Sequence, residues 1–339
     1  MEEKVLQTIK KYNLIQNNDK IILAVSGGPD SIAMLNCLFN LKIKLEEKEN
    51  LRFQIYVAHV NHMIREEAKS DETYVQELCD KLNIPFFSKS IDVKKIAHNN
   101  KMGIEEAGRI ERYNFFNEVM EKTNGNKIAI AHNKNDKIET IIMHLLRGTG
   151  LNGLIGLEPI KNNKYIRPLL ECSRQEIEEY CEKNNLNPKI DKTNFDNTYT
   201  RNKIRNIVIP YIKQEFNPNI VETLDRLSDL VKEEELYITK QVEKIYREIC
   251  ISESKSKIIL SLKQFNYQDK VIKSKILIYT ITKIFGDSKG IEKIHIEDLI
   301  KLCSNNIGNK YLMPNKNLKV LVKNGQIYFI DQRQVSVES

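Results

Sequence analysis

Residues 21–31, Ile21-Ile22-Leu23-Ala24-Val25-Ser26-Gly27-Gly28-Pro29-Asp30-Ser31, decide the fold of this chain. The apolar run predicts a short buried strand, and the residues from Ser31 onward have helical spacing. A glycine turn between a strand and a helix makes an anion site, because backbone N–H groups converge there and the helix dipole adds positive potential. Ser26 and Ser31 can add hydroxyl donors, and Asp30 can hold Mg²⁺ against phosphates. We therefore predict a phosphate-binding loop at residues 26–31.

Strands and helices alternate on the C-terminal side of this loop. The predicted strands are residues 21–25, 53–59, 86–91 and 127–132, and the predicted helices are residues 31–41, 68–82, 104–120 and 136–146. This alternation is typical of a doubly wound α/β fold with a mainly parallel sheet. It stops near Asn206, after which the chain is mostly helical, with two short strands around a turn at Asn324-Gly325. We predict a catalytic domain at residues 1–213 and a smaller, mostly helical C-terminal domain at residues 214–339.

Charge is unevenly distributed in this chain of 339 residues with a net charge of +7. Residues 251–330 contain 14 Lys+Arg and 6 Asp+Glu, an excess of +8. Such a block is typical of a module that binds a polyanion, although a general lysine bias of composition explains it equally well. No apolar run is long enough to span a bilayer, and the acidic N-terminus is unlike a signal peptide. The six scattered cysteines form no CxxC, which favours a reduced, cytoplasmic setting.

Arginine is scarce here, with 12 Arg among the 53 basic residues, so its positions are informative. Five arginines lie within the motifs described below: Arg109, Arg112, Arg147, Arg201 and Arg205. A planar two-pronged donor suits phosphate better than lysine does. Arg109 and Arg112 follow two glutamates by about one turn, so an ordinary salt-bridged helix face is the alternative for them. For the other three, which have glycine or asparagine neighbours, we expect phosphate contacts. For Arg201 and Arg205 the alternative is a structural role in which they pair with Asp191 or Asp196.

Several motifs together resemble those of the tRNA(Ile)-lysidine synthetases, a family of PP-loop ATP pyrophosphatases. Residues 26–31 resemble the SGGxDS loop, and residues 59–65 resemble H-x-N-H-G-L-R. Residues 105–113 are similar to E-x-x-A-R-x-x-R-Y. Residues 132–140 resemble H-x-x-D-D-Q-x-E-T, followed by Arg-Gly-Thr-Gly at residues 147–150. The remaining matches are R-P-L-L at residues 167–170 and the long D-x-[TS]-N-x-D-x-x-Y-x-R-N-x-[IL]-R pattern at residues 191–205.

This resemblance implies an ATP- and Mg²⁺-dependent ligase. Such an enzyme adenylates the C2 oxygen of the wobble cytidine in the CAU anticodon of tRNA(Ile), releasing pyrophosphate, and then joins L-lysine to C2, releasing AMP. The implied catalytic residues are Asp30, Asp136, Arg112 and Arg205, with Asp30 and Asp136 as metal ligands. ATP contacts are expected from Ser26, Gly27, Gly28, Pro29, Asp30, Ser31, His62 and Arg109. Contacts to tRNA or lysine are expected from His132, Glu139, Arg147 and Arg201. The partners would be tRNA(Ile), lysine and a second copy in a homodimer, without a membrane.

Three positions depart from the family pattern. Met63 replaces a glycine, so the turn after His62 is expected to differ. Asn135 and Lys137 replace an aspartate and a glutamine beside Asp136, which removes one charge if the first of the paired aspartates binds metal. Longer family members also have another C-terminal domain for the tRNA acceptor end, so the chain is expected to be a short form or a truncated one.

Two alternative functions remain at this stage. A PP-loop cytidine thiolase would share the ATP chemistry, but the paired CxxC motifs of its iron–sulfur cluster are missing from this sequence. A nucleotide-binding protein without catalytic activity is the other alternative. Incorporation of labelled lysine into tRNA(Ile) separates all three.

Overall fold

Two compact units, Met1–Val231 and Lys232–Ser339, make up the chain in the computed structural model. The structure describes residues 1–61, 63, 68–189, 197–305 and 310–335. The unit boundary falls later than residue 213, and the assignment of separate functions to residues 1–213 and 214–339 stays a prediction. In the described part of the chain, no helix is long and apolar enough to cross a membrane.

The first unit is built on a six-stranded sheet in the order β3-β2-β1-β4-β6-β5. Its strands are β1 (Lys20–Ala24), β2 (Gln54–Asn61), β3 (Phe86–Ser90), β4 (Lys127–Ile130), β5 (Ile160–Lys161) and β6 (Tyr165–Ile166). All neighbours pair in parallel except β5 and β6. The predicted fold class, with its four parallel strands, is confirmed. The short antiparallel edge was not predicted, because two-residue strands leave no periodic signal.

Helices cover this sheet. They are α1 (Glu2–Lys11), α2 (Pro29–Glu49), α3 (Ala68–Lys81), α4 (Val93–Asn100), α5 (Ile104–Lys122), α6 (Lys134–Arg147), α7 (Arg174–Lys183), α8 (Thr200–Lys203) and α9 (Ile209–Glu215). The largest apolar cluster includes residues of β1, β2, α1, α2, α3 and α7, among them fully buried Ile21, Leu23, Met34 and Leu38. Burial of the apolar strand residues therefore fixes β1 at the centre of the sheet, and the loop after β1 opens at its carboxyl edge.

A long helix, α10 (Ile220–Ile249), crosses the division between the units. The second unit also contains β7 (Cys250–Glu253), β8 (Lys257–Ser261), α11 (Leu262–Asn266), α12 (Lys270–Phe285), α13 (Lys293–Ser304), β9 (Lys310–Asn315), β10 (Leu318–Lys323), β11 (Gln326–Asp331) and α14 (Gln332–Val335). Its sheet is antiparallel, in the order β7-β8-β11-β10-β9. The predicted hairpin is confirmed as β10 and β11, and the turn between them has positive φ at Asn324 (53°) and Gly325 (70°). The other three strands were not predicted.

Candidate functional site

The loop between β1 and α2 is closed by the hydroxyl group of Ser31. Ser31 Oγ accepts from the Ser26 N–H (3.1 Å) and donates to the Gly28 carbonyl (2.9 Å). Gly27 has φ +91°, a conformation that L side chains rarely adopt, and its carbonyl accepts from the Lys189 N–H at 3.0 Å. Ser31 is buried and Ser26 is exposed. Ser31 therefore shapes the loop, while Ser26 is placed at the surface where a phosphate would enter.

Asn133 connects Asp30 with Asp136. Its Nδ2 donates to Asp30 Oδ1 at 2.9 Å, and its Oδ1 accepts from the Asp136 N–H at 3.0 Å. Asp136 Oδ2 in turn accepts from the Asn133 N–H (3.0 Å), so the start of α6 has a reciprocal capping box. The sequence analysis missed Asn133, although an asparagine three residues before an aspartate at a helix start signals such a cap.

The electrostatic environment of Asp30 is unfavourable for its charge. Burial and the neighbouring charge of Asp136 raise the pKa of the Asp30 carboxyl to about 6, and the hydrogen bond from Asn133 opposes this only in part. Two carboxyl groups at the carboxyl ends of neighbouring strands are thus held close together beside the phosphate loop. A cation bound between the two carboxyl groups would offset this unfavourable charge.

Asp136 and Glu139 are one turn apart on α6, and two arginines neutralise them. Arg201 donates from Nη2 to Asp136 Oδ1 (3.0 Å) and from Nε to Glu139 Oε2 (2.8 Å). Arg205 reaches the same Asp136 oxygen at 3.0 Å and contacts both oxygens of Glu139, at 2.5 and 3.0 Å. Glu139 is only 1% exposed. The sequence gives these arginines no acidic neighbours, but the fold places both against two carboxylates.

A π-helical turn, Ile204–Val208, carries Arg205 between α8 and α9. The Ile209 N–H donates to the Ile204 carbonyl five residues earlier, and Pro210, which has no N–H, follows directly. Arg201 and Arg205 lie on one face of this helical segment, as predicted, and Arg205 lies within the π-helical turn. Both guanidinium groups contact carboxylates of α6.

The donor set fits a Mg²⁺ ion. Mg²⁺ is usually bound by one or two carboxylates together with substrate phosphates and water, and Asp30 and Asp136 supply that number beside the loop. No group of three His, Cys, Asp or Glu side chains suited to a metal occurs among the described residues. Asp136 already accepts three hydrogen bonds, whereas Asp30 accepts one from Asn133. Asp30 would therefore be the main protein ligand, with phosphate oxygens completing the coordination.

The other predicted site residues are placed in different ways. Arg109, Arg112 and Arg147 are exposed, with Arg109 5.8 Å from the Tyr113 ring centre and Arg112 Nε donating to the Gly108 carbonyl at 3.3 Å. No ion pair with a glutamate is found for these three arginines among the described residues. His132 follows β4 and accepts a hydrogen bond from Arg167. His62 lies outside the described residues.

The three departures from the family pattern have local structural explanations. Met63 has φ +52°, the left-handed conformation that a glycine would adopt without strain. Asn135 is directed away from Asp30, because its Oδ1 accepts from the Arg174 N–H at the start of α7. Lys137 donates to Asp225 (2.8 Å) and Asp229 (3.1 Å) of α10. Asn135 and Lys137 thus bind α6 to neighbouring helices.

Comparison with known proteins identifies this arrangement. A profile of the PP-loop domain family matches residues 1–212. A tRNA(Ile)-lysidine synthase of Clostridioides difficile (strain 630) is 44% identical over 337 residues, which are 99% of this chain and 72% of that protein. The chain belongs to the tRNA(Ile)-lysidine synthase family. A second member, from Clostridium perfringens, is 43% identical over 93% of this chain and 66% of its own length.

The chain also has a structural relative outside this family. The U34-tRNA thiolase NcsA from Methanococcus maripaludis superposes with a TM-score of 0.52 at 20% identity, covering 67% of this chain and 78% of the thiolase. This likeness confirms the PP-loop fold alone. Membership of a PP-loop family implies the use of ATP, in agreement with the loop geometry.

Proposed function

We propose that this chain uses ATP and Mg²⁺ to join L-lysine to C2 of the wobble cytidine of tRNA(Ile) with a CAU anticodon. In the first step, O2 of the cytidine attacks the α-phosphorus of ATP, and pyrophosphate leaves. In the second step, the lysine ε-amine forms a bond to C2, and AMP leaves with O2. Family membership supports the reaction, and the hydrogen-bonded series Asp30–Asn133–Asp136 beside the phosphate loop is the observation that carries it.

Each part of the site has a chemical task in this reaction. Backbone N–H groups of residues 26–31 and the start of α2 would hold the pyrophosphate portion of ATP. Mg²⁺ on Asp30 and Asp136 would offset charge that develops on phosphate oxygens when the α–β bond breaks. Arg109 and Arg112 form no ion pair with a glutamate in the described part of the chain, so their guanidinium groups suit phosphate contact. A preformed cluster of this kind needs little reorganisation during the reaction.

The arginine cluster limits how lysine and phosphate would enter. Both Glu139 oxygens accept from Arg205, and one also accepts from Arg201. A lysine ammonium at Glu139 would therefore exchange with one of these N–H groups. Likewise, Arg201 or Arg205 would contact phosphate with the N–H groups that are not bound to carboxylates. The predicted roles of Glu139, Arg147, Arg201 and His132 in substrate binding stay predictions.

Incorporation of lysine tests the reaction directly. Purified protein is mixed with ¹⁴C-lysine, ATP, Mg²⁺ and a tRNA(Ile) transcript, and acid-precipitable label and AMP are measured. We expect equal amounts of AMP and tRNA-bound lysine. The matched control is the same transcript with uridine at the wobble position, which should accept no lysine. AMP formation without lysine transfer contradicts the proposal, as does sulfur transfer, which would support the thiolase alternative.

The remaining partner predictions have separate tests. A homodimer should sediment at twice the mass of the 39.6 kDa chain. We also propose a cytoplasmic location, because the tRNA substrate is found there. Fractionation of cells that carry a tagged chain would check it.

A further inference from the structure

Arg167 donates a hydrogen bond to His132, and neither residue has an assigned role in the reaction steps above. It follows β6, whose neighbour in the sheet is β4, the strand before His132. Arg167 Nε donates to His132 Nδ1 at 3.0 Å, and Arg167 Nη1 donates to the Glu158 carbonyl at 2.6 Å. Arg167 is only 6% exposed, so its side chain is held in place by the surrounding residues. It is also an arginine in a chain where lysine is the common cation.

The contact determines where the imidazole proton lies. A guanidinium group has only donors, so Nδ1 of His132 must offer its lone pair, and the proton of the neutral ring lies on Nε2. The charged groups around the ring reinforce the neutral state. Burial and the cations Arg167, Arg201 and Arg112 lower the pKa of His132 to about 4, and Asp136 opposes them only in part.

The protonated nitrogen has no protein partner in the described part of the chain. No hydrogen bond is found there for His132 Nε2, and this atom is not among the fully buried side-chain polar atoms that lack a partner. His132 itself is only partly exposed. The result is an N–H donor whose ring is held by Arg167 and whose proton is left for an acceptor that the substrates would bring.

We propose that Arg167 is a positioning residue that holds His132 as a neutral Nε2–H donor to an acceptor oxygen of the substrates. This inference rests on the proposed function and adds a role to it. The acceptor is either a phosphate oxygen of ATP or O2 of the cytidine, since both are oxygens on which negative charge rests or develops. A ring protonated at Nε2 has no lone pair there, so His132 does not remove the proton from the attacking lysine amine.

The tautomer is measured without any reaction, in the full chain. Long-range ¹H–¹⁵N spectra at pH 7 report which ring nitrogen carries a proton, and His132→Gln assigns one signal among the six histidines. We expect the Nε2–H form for His132. Arg167→Met should move the Nδ1 and Nε2 shifts toward a tautomer mixture, whereas Arg52→Met, which removes an exposed pair with Glu46, should not. An Nδ1–H or cationic His132, or unchanged shifts in Arg167→Met, overturns the proposal.

Two further variants keep the test usable if Arg167→Met does not fold. The amide nitrogen of glutamine lies near the position of Nε2, and that of asparagine lies near Nδ1. We expect His132→Asn to lower kcat/KM about 100-fold, as for a lost preorganised donor, and His132→Gln to lower it less than tenfold. Equal losses in both variants contradict the donor role.

The His132→Asn and His132→Gln variants also identify the oxygen that accepts the hydrogen bond. If the oxygen belongs to ATP, the two variants differ in ATP affinity without tRNA. If it belongs to cytidine, they differ only in the rate with tRNA. A protein that shows the Nε2–H tautomer but joins no lysine to tRNA would refute the proposed function and not the placement of the proton.

Discussion

Arg205 and Glu139 form a two-pronged ion pair, with Nε at 2.5 Å from Oε1 and Nη2 at 3.0 Å from Oε2. The carboxylate is almost fully buried, and the guanidinium group is three-quarters buried. A buried pair of this kind depends on both partners, because removal of one leaves an uncompensated charge. The pair therefore joins the π-helical turn to α6 and fixes the position of both side chains.

Arg205→Met should destabilise the protein strongly, because Glu139 would keep only its hydrogen bond from Arg201. We expect a loss of about 3 kcal/mol in the free energy of unfolding, measured by urea denaturation. Arg205→Lys keeps one charge but loses the fork, so it should lower stability less and still remove most activity per folded molecule. Full activity of folded Arg205→Lys would show that Arg205 has a purely structural role.

Asp30→Asn should make the protein more stable and inactive. The folded-state pKa of Asp30, about 6, lies above the value of 3.8 that is usual for an aspartate in an unfolded chain. Between these values the folded state binds more protons than the unfolded state, so this group's contribution to stability falls as pH rises through that window. At pH 7 without Mg²⁺, Asn should raise the free energy of unfolding by roughly 2 kcal/mol. AMP formation should be abolished.

Asp136→Asn is the matched variant with the opposite expected effect on stability. It weakens hydrogen bonds from Arg201 and Arg205, so Tm should fall while AMP formation is also lost. Near wild-type turnover of both variants at saturating Mg²⁺ would contradict the metal assignment. A lower Tm for Asp30→Asn would contradict the unfavourable environment of that carboxyl group.

The sequence was sufficient to predict the parallel sheet, because buried strands and amphipathic helices leave strong signals in the pattern of apolar residues. The strands predicted at residues 21–25 and 127–132 are examples. It also indicated Asp30 and Asp136 through the motifs around them. It could not show that Glu139 faces two arginines more than 60 residues away. Arg167 was noticed only as part of R-P-L-L, because its contact with His132 depends on the pairing of β4 with β6. Contacts between distant segments are outside the reach of local patterns.

Lys137 should stabilise the packing of α6 against α10. Its side chain is 10% exposed and donates to Asp225 and Asp229, while Lys134 also pairs with Asp225. Burial alone would raise the pKa of the Asp225 carboxyl. Hydrogen bonds from these lysines outweigh burial and hold this pKa below its usual value. Lys137→Gln, which restores the family's common residue, should cost about 1–2 kcal/mol of unfolding free energy. Lys293→Gln, which removes an exposed pair with Glu297, should cost under about 0.5 kcal/mol.

One face of the antiparallel sheet has the residues expected of a tRNA-binding surface. Alternate residues of β8, β10 and β11, such as Ile258, Val320 and Phe329, are buried in the apolar cluster of the second unit. The residues between them include Lys257, Lys319, Lys323 and Tyr328, together with apolar Ile259, Leu321 and Ile330, and all of these are partly or fully exposed. Lys257 lies 5.1 Å from the Tyr328 ring centre, and Lys319 lies 4.5 Å from that of Tyr311. Lysines beside tyrosines on an open face are typical of a surface that binds a polyanion. They favour this explanation of the positive charge over a general lysine bias of composition.

Lys257→Gln and Lys319→Gln should therefore weaken tRNA binding without changing the chemical step. When a phosphate contact is lost, tRNA binding releases fewer counterions. The slope of log K against log salt should therefore become shallower by roughly 0.7–0.9 per lost contact. The measurement is tRNA anisotropy between about 50 and 200 mM KCl, the range in which this dependence is steep. Lys301→Gln is the control, because Lys301 is paired with Asp298 at 3.2 Å and its charge is already offset. Unchanged slopes in both sheet variants, or an equal change in Lys301→Gln, would assign tRNA affinity to the first unit instead.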